Sequence, residues 1–96
     1  MYKLCFYVTE DHLEPVKQAL FAVGAGSYDE FVNCAWQSKG EGQYQIKDKA
    51  LVKITEYKVE MYCADKYLNK AINALLKSHP CDKPAYDIVA VNNSFK

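Results

Sequence analysis

Long apolar stretches are missing from this sequence, and the longest runs, such as Leu4 to Val8, fall far short of the about 20 residues a membrane-spanning helix needs. Blocks of like charge are missing too. Twelve basic and twelve acidic side chains cancel and are scattered, so neither the footprint of a nucleic-acid binder nor a polybasic membrane patch is present. The opening "MYKLCFYVTEDH" lacks the charged, apolar and small-residue order of a signal peptide, which predicts a cytoplasmic protein. There is no CxxC pair, which disfavours a zinc knuckle. There is no GxxxxGK[ST] run either, so "GAGSYDE" and "GEG" read as turns and not as phosphate loops.

What is present suits one domain over residues 1–96: half the chain is hydrophobic, 14% is aromatic, and eight tyrosines outnumber four phenylalanines. A chain of this size buries roughly 65% of its unfolded surface. Apolar side chains suffice for a core with some left for an interface. Four cysteines (Cys5, Cys34, Cys63 and Cys81) are an even number, but in a reducing cytosol they are expected to stay free, and three of them sit in strand-like apolar runs where a buried, inert thiol is the usual outcome.

Periodicity supplies the elements. "YKLCFYVT" alternates Leu4, Phe6 and Val8 against Lys3, Cys5, Tyr7 and Thr9; both faces are largely apolar, so the sheet needs two covers. In "EDHLEPVKQALFAVGAG", Asp11 and Glu14 predict a capping box, with Pro15 early enough to lose only an unpaired N–H. Leu13, Val16, Leu20 and Val23 form the stripe, and Gly24 or Gly26 the stop. "EFVNCAWQS" predicts a second strand, with Val32, Cys34 and Trp36 on one face. Ser38 to Thr55, with two glycines and mixed charge, reads as a flexible loop. "TEYKVEMYCA" turns Tyr57, Val59, Met61 and Cys63 inward, and its Lys58 and Glu60 read as a solvated or interface-rim alternation. Asp65 is the predicted cap of a helix that buries Leu68, Ile72, Leu75 and Leu76, Pro80 ends it, and "AYDIVAVN" is the last strand.

The order β-α-β-β-α-β is that of the ferredoxin-like α+β fold: a four-stranded antiparallel sheet with both helices on one face and strands one and three central. Cys5, Tyr7 and Tyr62 then lie on the uncovered face, and a second subunit is the simplest cover.

The stretches "YKLCFYVTEDHLEPVKQALFAVGAG", "CAWQSKGEGQY", "YKVEM" and "HPCDKPAYDI" together resemble the PII and CutA-like group. They most resemble the small domain inserted in bacterial Nif-three-like dinuclear-metal proteins, here as a stand-alone chain. The last stretch is similar to that family's His-Pro-Tyr-Glu-x-Pro-Ala-Tyr-Asp signature, with Cys81 and Asp82 replacing Tyr and Glu. The resemblance implies a noncatalytic, homo-oligomeric binding or regulatory module, a trimer first by analogy with CutA and a dimer second. Such a module binds a small ligand or a divalent metal ion, or docks on a larger protein, with Ser38 to Thr55 as its adaptable part.

Candidate ligand-binding residues are His12, Trp36, His79 and Tyr86, and candidate metal ligands His79, Cys81 and Asp82. A metal needs three or four ligands converging at about 2.0–2.3 Å, whereas neighbours on an extended backbone diverge. The competing expectation is structural: Pro80 and Pro84 stiffen a helix-to-strand connection, and His79 sits favourably at a helix C-terminus. A small metal-dependent hydrolase using His79, Cys81 and Asp82 is the alternative function; it requires the three in one pocket.

Overall fold

The computed structural model describes residues 1–92. Strand β1 (Tyr2–Val8) leads into helix α1 (Glu10–Ala22); β2 (Trp36–Gln45) and β3 (Leu51–Cys63) form a long hairpin. A 3-10 turn at Asp65–Tyr67 opens helix α2 (Leu68–Ser78), and β4 (Tyr86–Ala90) closes the sheet. All pairings are antiparallel in the order β2-β3-β1-β4, so the first and third strands are central, as the right-handed crossovers require.

Side-chain alternation places the core. Leu4, Phe6 and Val8 of β1 and Val59, Met61 and Cys63 of β3 face the helices, which contribute Leu13, Val16, Leu20, Ala71 and Leu75. The chain leaves α1 by a Schellman turn: the Gly24 N–H donates to Phe21 O, the Ala25 N–H to Leu20 O, and Gly24 takes φ +107°. The opposite sheet face, carrying Lys3, Cys5, Tyr7, Lys58, Glu60 and Tyr62, has no layer over it among the described residues.

Several boundaries differ from expectation. The second strand is not Glu30–Ser38. Tyr28 and Phe31 instead pair with each other in a tight turn, with Asp29 at φ 51° and Asn33 at φ 57°; short polar side chains tolerate that left-handed region, and the apolar alternation around them hid it. The expected loop Ser38–Thr55 is mostly strand. Its turn spans residues 46–50, where Asp48 has φ 68°, the Lys49 N–H donates to Ile46 O and Gln45 Nε2 to Lys49 O. The capping box is not formed: Thr9 is the N-cap, the Asp11 carboxylate accepts from the Thr9 hydroxyl at 2.7 Å, and Glu14 pairs with Lys17. Pro15 is therefore past the first turn, where it removes a donor the helix would have used. Asp65 engages the Met1 amino group instead of capping. On α2, Ala71 and Leu75 are buried, whereas Leu76 is exposed.

All four cysteines are free. Cys5 lies opposite Glu60 and Asp87 on the uncovered face, while Cys63, opposite Tyr2, points to the helices. Burial pushes both thiols up from their ordinary pKa, keeping them protonated and unreactive. Thiol titration of the denatured, unreduced protein is expected to find four free thiols; a lower number would mean that a bridge incompatible with this register had formed.

Candidate functional site

Two hollows hold most of the chemistry-bearing residues. The first, of about 290 Å³, lies where the α2–β4 connection meets the base of the hairpin, and His79, Pro80, Cys81, Tyr7, Gly42 and Glu56 are among its walls. Pro80 has the effect expected of it: His79 is extended at φ −74°, ψ 137°, and α2 stops. The imidazole then does more than sit at a helix end. Its Nε2 is 2.6 Å from the Tyr7 carbonyl oxygen, and its Nδ1 accepts the Cys81 N–H at 3.0 Å. This fixes the tautomer, because Nδ1 must be the acceptor and Nε2 the donor. The location explains the need: β4 pairs with β1 only as far as Phe6↔Tyr86. At the next residue of β1, His79 supplies the partner that the ladder does not.

Cys81 is exposed and lines the same groove, but Asp82 is not among the groove's walls. Both nitrogens of His79 are engaged, and no three His, Cys, Asp or Glu side chains gather within metal-ligating reach among the described residues. The three candidate metal ligands form no such group among the described residues. His12 stands on the first turn of α1, with Nδ1 3.2 Å from Asp11 Oδ1 but out of line for a hydrogen bond. Tyr86 packs half-buried against the core on the helix side. Neither joins His79 in the groove.

His79→Ala is expected to cost about 1–2 kcal/mol, toward the lower end for stranded polar groups because the site is only partly buried. That exceeds the loss of a helix-end charge interaction, roughly 0.3–1 kcal/mol. Cys81→Ser, which keeps the backbone N–H, is expected to unfold with the wild type in a urea titration; equal midpoints for all three proteins would show that the imidazole ties nothing.

The second hollow, of about 400 Å³, opens on the uncovered sheet face and is bordered by Trp36, Tyr62, Tyr28, Lys3, Glu60 and the 26–35 segment. Register pairing puts Trp36 opposite Glu60, and Lys3 opposite Tyr62. The Lys3 ammonium lies 2.7 Å from Glu60 Oε1; this hydrogen bond and charge hold the Glu60 carboxyl below, and the Lys3 ammonium above, their ordinary values. Trp36 is thus neither core nor a member of the His79 groove. Lys3 and Tyr28 were not singled out by sequence, and Glu60 read only as part of a solvated or interface-rim alternation with Lys58, because the three come from distant segments and only the fold unites them.

No family model matches the chain. The GTP cyclohydrolase 1 type 2 homolog of Halalkalibacterium halodurans is 33% identical over 97% of this chain, and that of Bacillus subtilis 34% identical over 96%. The chain spans 27% of the length of each of these relatives. A Bacillus cereus protein related to NIF3 superposes with a TM-score of 0.89 at 28% identity, over 96% of this chain and 26% of that one. The apo PII-like protein CutA of Nostoc sp. PCC 7120 gives 0.74 at 15% identity, covering 100% of this chain and 86% of its own. CutA1 of Pyrococcus horikoshii gives 0.75 at 16%, covering 99% and 90%. The chain is therefore homologous to a segment of the GTP cyclohydrolase 1 type 2 homologs and has the CutA/PII-like α+β fold.

Proposed function

We propose that the chain is a noncatalytic, homo-oligomeric binding module whose subunits meet through the uncovered sheet face and the hairpin arm. One observation carries this reading. β1 pairs with β3 only from Tyr57 to Cys63, so Leu51–Glu56 and their β2 partners Gly40–Gln45 project as a ribbon of two strands. The arm stretches the molecule to 49 Å, with a radius of gyration of 14.4 Å against about 13 Å for a compact 100-residue domain. An isolated two-stranded ribbon is marginal in water. Tyr44 and Val52, paired on the same face as Tyr7, are exposed, as are Ile46 and Leu51 nearby. A second subunit would bury them.

The sheet ends in two unlike free edges, β2 and β4. A contact between unlike surfaces is not two-fold and gives a ring where its rotation closes, which ranks a trimer before a dimer. Small ligands then have sites in and beside the subunit clefts. A hydrolase built on His79, Cys81 and Asp82 has less support, since the three side chains do not share a pocket.

Light scattering at micromolar concentration is expected to give a multiple of the 11.0 kDa chain mass. The mass of one chain would overturn the proposal. Tyr7, half-buried beside the base of the arm, is the probe of the face: Tyr7→Glu replaces the ring with a carboxylate next to its cross-strand partner Lys58, which puts a charged pair in the contact, where desolvation opposes association, and is expected to shift the protein to monomer.

A further inference from the structure

We propose that the turn at residues 29–32 is a docking knob for the part of a GTP cyclohydrolase 1 type 2 homolog that lies outside the segment this chain matches, received there in an apolar socket rimmed by Lys or Arg. The contact goes beyond the oligomeric reading and uses a different surface.

The knob carries two side chains that take no part in the packing of the fold. Phe31 is 61% and Val32 65% exposed, and neither belongs to the core or borders either of the hollows described above. Adjacent exposed apolar side chains mark a contact surface. These two are also held in place, for Tyr28 and Phe31 exchange both of their backbone N–H to O bonds at 2.9 Å, while Asp29 and Asn33 stand at φ 51° and 57°. The root is tied as well. The Gly26 N–H donates to Tyr62 O and the Cys34 N–H to Gly26 O, both at 2.8 Å. A projection fixed in this way loses little conformational freedom on docking.

Charge states the chemistry of the socket. Asp29 and Glu30 are exposed at the tip, and neither carboxylate has an ion-pair partner among the described residues. No Lys or Arg lies between residues 26 and 35 to neutralise them. A rim of Lys or Arg around an apolar floor answers both the carboxylates and the Phe31–Val32 pair, and an acidic rim would be repelled.

Position states what stands there to be docked. Beside the root of the loop, Cys63 pairs with Tyr2, Tyr2 pairs with Ala90, and the Val91 N–H donates to Met1 O at 3.0 Å. Both ends of the described chain thus leave the sheet on the side of the knob, and the arm projects from the other. The chain matches 27% of each relative's length, so the rest of their polypeptide is joined at this end of the sheet, whichever terminus carries it. A body joined there stands beside the knob.

Hydrogen exchange of peptide 27–35, read by mass spectrometry, tests the contact in this chain alone and in a chimera where the chain replaces the matched segment of the Bacillus subtilis homolog. Exchange in the chimera is expected to be at least about tenfold slower. Phe31→Ser with Val32→Ser is expected to return it to the rate of the chain alone. Asp29→Asn with Glu30→Gln, which removes the charge and keeps a residue tolerant of φ 51°, is expected to speed exchange in the chimera at least about threefold. Leu76→Ser, at an exposed apolar side chain of α2, is expected to change nothing.

Equal exchange in chain and chimera would overturn the proposal, as would protection that survives the serine pair or the loss of the two charges. If the serine pair fails a circular-dichroism check of folding, the charge variant decides in its place. A chimera that fails the same check would show that this chain does not fit the relatives' body, and the proposal would fall. Slower exchange of 27–35 in the chain alone as its concentration rises would assign the knob to a second copy and overturn it too.

Discussion

Gly26→Ala is expected to lower stability by roughly 2–4 kcal/mol, combining left-handed backbone strain of about 1–2 kcal/mol with overpacking of about 1–3 kcal/mol. For a domain of this size that is a fall in melting temperature on the order of 10–25 °C. The strain follows from φ +76°. The overpacking follows from where a Cβ would go: 2.7 Å from the Cys34 carbonyl oxygen and 2.8 Å from the Phe21 ring, neither of which is a flexible chain end. Moving Cys34 away would break the Cys34 N–H to Gly26 O bond that holds the wall of the Trp36 hollow. Gly40 is the control, for it has no atom within 4 Å of its own Cβ position and no positive φ. Gly40→Ala is expected to melt within a few degrees of wild type. Thermal unfolding followed by circular dichroism decides, and a Gly26→Ala protein as stable as Gly40→Ala would contradict the tight approach of the 26–35 segment to α1.

How far the sequence carries depends on the kind of force that makes each element. Where burial makes it, the pattern is visible: Leu4, Phe6 and Val8, or Val59, Met61 and Cys63, alternate because one side of their strand meets helices. α1 shows its stripe for the same reason. The outer hairpin is made by backbone pairing instead. "SKGEGQYQ" has two glycines, two glutamines, a lysine and a glutamate, residues with weak strand preference, and only the partner strand 51–58 makes it extended. Mixed composition there resembled a loop, whereas the turn around Asp29 and Asn33, set among Phe31, Val32 and Trp36, resembled a strand.

The sites divide in the same way. The stretch around His79 was conspicuous in the sequence, and the stopping of a helix by Pro80 was legible from the rules of X-Pro geometry. Its partner was not legible, since the Tyr7 carbonyl is 72 residues away and is available only because β4 starts late. The Lys3–Glu60 pair is similarly a product of register. A shift of one residue between β1 and β3 would send Lys3 to the helix side and dissolve both the ion pair and the hollow.

The arm offers the sharpest test of assembly, because it can be removed without entering the core. Glu41 and Thr55 are register partners, so replacing residues 42–54 with Asn-Gly joins them by a two-residue turn matched to the twist of an antiparallel pair. What is lost is the ribbon beyond the three-strand part of the sheet, including Tyr44, Ile46, Leu51 and Val52, all exposed in the single chain. What is kept is every buried residue of the core, from Leu4 to Leu75. If subunits associate through the arm, the shortened protein is expected to be a folded monomer: light scattering gives the mass of one chain, and far-ultraviolet circular dichroism retains the helical signal. The full-length protein remains a multimer under the same conditions. A shortened protein that is still multimeric would place the contact on the uncovered face around Cys5, Tyr7 and Tyr62 alone, and then Tyr7→Glu becomes the variant that separates the subunits. A full-length protein that is already monomeric would leave the arm's apolar residues without the cover proposed for them, and the oligomeric reading would fail.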